Sequence, residues 1–170
     1  MHIVIILWAV FAAWRWGDWK NWQKYHSSMI FYPFANLVYG LLVNNHDFFL
    51  WRYHGQFLLS EETADLFHSI ITFPAVTLTF LSNYPADRLK QARHITKYVV
   101  IYVVVEIIAL QLHVISYSYN WNLLWSTWFN FVSFSVIRLH HTRPLLAYGI
   151  SVFITAYLLW QFGVPLNDSE

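Results

Sequence analysis

The chain has 170 residues, 58% of them hydrophobic and only 11% charged, with a formal net charge of +1. An average soluble domain is about 25% charged, and a soluble fold of this length has too little interior to hide so much apolar surface, so lipid is the expected solvent. Cysteine is absent, which excludes disulfides, thiolate nucleophiles and Cys-based metal sites; the basic residues form short clusters beside apolar runs, which gives no support for nucleic-acid binding.

The first apolar run, Ile3 to Trp16, has no basic segment ahead of it, and bulky Trp14 and Trp16 stand where a signal peptidase needs small residues. It reads as an uncleaved helix, short for a span of about 17–25 residues. Arg15, Lys20 and Lys24 follow, interleaved with Trp14, Trp16, Trp19 and Trp22. Such a mixture suits an anionic inner leaflet and anchors the chain there. A second helix is expected over residues 27–43 and a third over 63–82, with Pro33 and Pro74 kinking them.

The connection between those two, residues 44–62, holds Phe48, Phe49, Leu50, Trp51, Tyr53, Phe57, Leu58 and Leu59. It is too apolar for a free loop, and an interfacial or re-entrant segment is expected. Arg88, Lys90, Arg93 and Lys97 lead into a fourth helix over residues 97–117. A fifth covers 121–139, and Arg138 and Arg143 flank the turn to a sixth over 144–164. Pro144 suits its first turn, where the missing N–H costs nothing.

Every basic residue except Arg52 thus falls in three clusters that alternate with apolar runs. Lys and Arg collect on the cytoplasmic side of membrane proteins. The expectation is an all-α integral membrane helical bundle, one domain over residues 1–170. It has six transmembrane helices, or five if the first run does not span, with both termini outside. Asp47, Glu61, Glu62, Asp168 and Glu170 then lie outside, Asp65 just within a span on that side, and Asp18 and Asp87 inside.

Ionisable residues within spans are the functional candidates, because a charge at the bilayer centre costs about 2.5–3.5 kcal/mol on insertion scales. Glu106 is expected halfway along the fourth span, where only another helix can supply a partner. Asn36 and Asn130 share its expected depth. His113, seven residues further on, falls on the same helix face, and His68 lies at similar depth with Asp65 three residues before it. Asp65, His68, His113 and Glu106 can therefore stack along one axis, with Asn36, Asn130, Gln111 and Tyr39 around them.

That set is compatible with three functions. One is a small-solute or proton/cation binding or transport component, its outward-facing polar cavity ending at Glu106, with His68 and His113 above it and Asp65 at the entrance. Another is a metal-dependent enzyme acting on a lipid-borne substrate, using the same four side chains as ligands; the spacings Asp-x-x-His and Glu-x6-His match no metal signature. The third is a non-catalytic membrane partner or sensor whose histidines report external acidity. Against all three stands an ordinary interhelical hydrogen-bond network, worth about 0.6 kcal/mol per bond.

Weaker features are the Ala9-x-x-x-Ala13 packing motif, Trp121, Trp125 and Trp128 as an interface belt, and the His140–Pro144 turn. Arg138 and Arg143 there could hold a lipid phosphate or simply snorkel. Nucleotide-binding Gly-x-x-x-x-Gly-Lys and hydrolase Gly-x-Ser-x-Gly patterns are absent. No cofactor and no catalytic residue can be named.

Arg15-Trp-Gly-Asp-Trp19, Asn36-Leu-Val-Tyr39, Leu50-Trp51, Phe73-Pro74 and Tyr84-Pro85 join the lone Glu106, Tyr119-Asn-Trp-Asn-Leu-Leu-Trp-Ser126 and Arg138-Leu-His-His-Thr-Arg-Pro144. Together they resemble an uncharacterised family of small polytopic membrane proteins from spore-forming Gram-positive bacteria, over nearly the whole chain. The resemblance implies a bacterial cytoplasmic membrane as host and brings no catalytic residues. Expected partners are the lipid bilayer, with partner membrane subunits or a homo-oligomer as candidates, and no nucleic acid.

Overall fold

The computed structural model describes residues 1–44, 48–56 and 58–165. Asp47, Phe57, Asp168 and Glu170, for which the sequence carries expectations, lie outside the described residues. Helix α1 covers His2–Trp16 and a 3-10 turn over Trp19–Lys24 leads to α2, His26–Asn44. One continuous helix follows, made of α3 (Glu61–Phe67), a π-helical turn (His68–Thr72) and α4 (Phe73–Ser82). Then come α5 (Arg88–Gln111), α6 (Leu123–Thr142) and α7 (Pro144–Gln161). Strands β1 (Trp51–Tyr53) and β2 (Ile115–Tyr117) pair antiparallel, with Arg52 opposite Ser116.

Local chemistry sets the helix starts. Ser60 accepts from Thr63 N, Asp87 from Lys90 N, and Asn122 from both Leu124 N and Trp125 N, each filling an orphan donor of a first turn. Pro144 heads α7. The π-helical turn falls directly before Pro74. Proline has no N–H and its ring crowds the carbonyl four residues back, so the ordinary ladder is disfavoured there.

The α3–π–α4 helix is central, and α1 runs parallel to it. His2 meets His68 at one end, and the Trp16 carbonyl accepts from Asn83 Nδ2 at the other. Ala9 and Ala13 pack on Ala75 between them. The contact is close enough that a Cβ on Gly17 would stand 3.0 Å from Leu78 Cδ2 of α4. The second close-packed region joins Tyr25, Leu78, Phe80, Tyr98, Phe134 and Ile137, drawing α4, α5 and α6 together. His94 reaches the Phe80 carbonyl, His141 stacks on Tyr25, and Arg138 lies 4.5 Å from the Tyr84 ring centroid. These contacts gather the three basic clusters at one end of the bundle and leave the β1–β2 ribbon at the other.

The molecule is predominantly helical. The α3–α4, α5 and α7 helices are long and apolar enough to cross a membrane. By that measure the six-span expectation is not met. At 15 residues α1 is short, while α2 and α6 carry His26, Ser28 and Asn36, and Ser126, Asn130, Arg138 and His140. Four of those polar groups turn inward, since Ser28, Ser126, Asn130 and His140 are buried, while His26 is exposed. Outward on α2 stand Ile30, Phe34, Leu37 and Leu41, an exposed apolar stripe at helical spacing.

The expected fourth helix over 97–117 also needs correction. Helix α5 starts earlier and stops at Gln111; Val114 N donates to Ala109 O, and His113 takes a left-handed φ of 54°. The chain doubles back there to make β2. The apolar 44–62 connection is likewise no free loop, since Phe48 and Leu50 bury with Trp121 and Val164 in a cluster at the ribbon end. Trp121 is thus interior rather than part of an interface belt.

Candidate functional site: a polar-studded recess in the bundle

A recess of about 810 Å³ runs inside the bundle, walled by α1, α2, the π turn, α4, α5, α6 and α7. Its walls are mostly apolar, and polar groups enter in three places.

At the first, Glu106 Oε1 accepts from Tyr117 Oη at 2.8 Å and from Ser126 Oγ. Asn130 lies beside the same carboxylate, one turn after Ser126 on α6. Among the described residues no Lys, Arg or His lies within ion-pair distance of Glu106. Tyr117 arrives only because α5 ends early and β2 folds back. Burial first, then the bond to Glu106, hold the Tyr117 phenol well above its ordinary range, so it remains a donor. The early stop also corrects the depth of Glu106. It sits five residues before the end of α5, about 7.5 Å at 1.5 Å per residue, nearer the ribbon than the middle.

At the second, Asn36 Nδ2 donates to Asp65 Oδ1 at 3.1 Å and to Ser69 Oγ at 2.9 Å. The π turn rotates Ser69 toward α2, and Asn36 lines the recess. At the third, His68 Nε2 lies 3.1 Å from His2 Nδ1, and His68 Nδ1 lies 3.1 Å from Thr72 Oγ1. His2 Nε2 reaches the His54 carbonyl at 3.0 Å, and Tyr53 stacks on His68 with centroids 4.8 Å apart. Burial holds the Tyr53 phenol well above its ordinary range as well, with Asp65 a further cause.

The expected axis is therefore broken up. Glu106 and Asn130 share one station, Asn36 and Asp65 a second, and His68 a third. His113 joins none: it is exposed, in a turn, and does not line the recess. Gln111 is exposed too, and Tyr39 ties the 44–62 connection down through Leu50 N and Trp51 O. No group of three His, Asp or Glu side chains gathers as metal ligands among the described residues. His140, turned inward to Ser28 Oγ at 2.9 Å and stacked on Phe31, serves packing.

Sequence reasoning missed His2, Tyr117, Ser126, Ser69 and Thr72. Ser126 carried a signal, being one turn before Asn130 on the same face; His2 carried none, since its partners are distant in the chain.

Fold and recess together define a helical bundle with polar stations set in a mostly apolar interior and large apolar side chains exposed on α1, α2, α5 and α7. Compared with known proteins, the chain matches no family model, no curated protein and no solved structure.

Proposed function

We propose that the protein is a binding or transport component of a bacterial cytoplasmic membrane, taking a small solute, proton or cation at Glu106. The observation that carries this reading is the carboxylate itself. It lines the recess, receives two hydroxyl donors on Oε1, and has no basic side chain as partner among the described residues. A carboxylate away from bulk water is costly unless paired and hydrogen-bonded, so a cation or proton that arrives and leaves is the natural complement.

In this reading α1, α2, α3–α4, α5, α6 and α7 all cross the bilayer, the short α1 in a locally thinned region. The inward turn of polar residues on α2 and α6, with apolar stripes outward, supports it. The basic end faces the cytoplasm and both termini face out, supported by the positive-inside rule. Membership of the resembling family of spore-forming Gram-positive bacteria belongs to the same proposal.

The test is proton or alkali-cation flux into proteoliposomes holding an entrapped dye. The wild type is expected to exceed protein-free vesicles. Glu106→Gln should lower that flux at least tenfold with helical content unchanged. Equal flux in the variant overturns the reading; no flux from the wild type removes transport and leaves binding at Glu106, which a ligand titration of wild type against Glu106→Gln decides.

A further inference from the structure

We infer that the occupant of the recess is an amphipathic cation, an apolar body carrying an amine or quaternary-ammonium head that seats at Glu106. This deepens the proposed binding role and rests on it.

Four observations converge. The walls are mostly apolar, and about 810 Å³ is room for an organic molecule rather than a bare ion; pockets for drug-sized ligands span roughly 300–1,000 Å³. An inorganic cation wants six or so oxygen ligands, and this station offers far fewer. Next, the head has something specific to meet. Lys97 is the only Lys or Arg lining the recess among the described residues, but it sits nine residues before Glu106 on α5, about 14 Å along the axis, too far to neutralise it. Third, Tyr102 lies one turn before Glu106 on the same helix face. Its Oη is buried beside the Tyr32 phenol without forming a well-aligned hydrogen bond, and both residues line the recess. An ammonium N–H supplies that hydroxyl with a donor, and the rings of Tyr32 and Tyr102 offer faces to a quaternary head. Last, Trp8 of α1 and Ile101 of α5 both line the recess and are 57% and 41% exposed. On a membrane-embedded bundle that flank opens to acyl chains, where amphipathic cations partition.

The probe is tetraphenylphosphonium, titrated against the full chain in nanodiscs, with uncharged triphenylphosphine oxide as competitor. The expected result is saturable binding of one cation per chain, at least tenfold weaker in Glu106→Gln, several-fold weaker in Ser126→Ala, and indifferent to the uncharged competitor. Equal binding by wild type and both variants, or displacement by the uncharged competitor, overturns the charge recognition. No binding of the cation while Glu106-dependent flux persists also overturns the inference, and leaves the proposed function standing. Binding as expected with no flux in proteoliposomes sustains the inference and removes only transport.

Discussion

At the scale of single residues, the hydrogen bonds around His68 fix a proton arrangement. His2 Nε2 faces a carbonyl, so it must donate. With one proton per ring, His2 Nδ1 then accepts from His68 Nε2–H, and His68 Nδ1 accepts from the Thr72 hydroxyl. Every polar atom in this buried chain is satisfied. His68→Ala removes the middle member and leaves His2 Nδ1 and the Thr72 hydroxyl unpaired. Leaving a buried group unsatisfied costs about 1–3 kcal/mol, which denaturation of the detergent-solubilised protein will read as lost stability. His113→Ala is expected to stay within about 0.5 kcal/mol of wild type, as exposed substitutions do. The sequence ranked these two histidines alike by depth, because the early end of α5 and the left-handed turn at His113 have no composition signal. Only the fold separates them.

At the scale of elements, the close approach of α1 to the central helix decides where the recess walls stand. Ala9 and Ala13 are 4% and 1% exposed against Ala75. Small residues allow that approach, as they do between membrane helices generally. Ala13→Leu forces extra carbons into a filled contact and is expected to cost about 1–3 kcal/mol, measured by the same denaturation; an unchanged stability would mean that α1 docks differently. The small-residue motif was visible in the sequence, although such motifs are common. The π turn was not. Pro74 advertised a local fault in the helix, but not that the fault would aim Ser69 at Asn36 and His68 at His2.

For the whole molecule, orientation is the decisive property, and the absence of cysteine makes it directly measurable. Ala86 is exposed at the basic end and Glu62 at the ribbon end. In intact cells a membrane-impermeant maleimide is expected to modify Glu62→Cys and to reach Ala86→Cys only after permeabilisation. The reverse pattern would invert the protein and place the basic end outside the cell.

Apolar run lengths and the grouping of Arg and Lys are properties of twenty-residue stretches, so the helical fold, the presence of helices long and apolar enough to cross a membrane and the shared end of the basic clusters could be read directly from the chain. The expectation that only another helix could supply Glu106 with a partner held for Ser126 of α6 and failed for Tyr117, eleven residues further along the chain, because α5 ends early. Which faces meet is a different quantity. It depends on how far each helix is rotated about its axis and where it stops, and both are settled by contacts between residues far apart in the chain. Tertiary structure alone therefore brought Tyr117 and Ser126 to Glu106, paired His2 with His68, and set His113 aside.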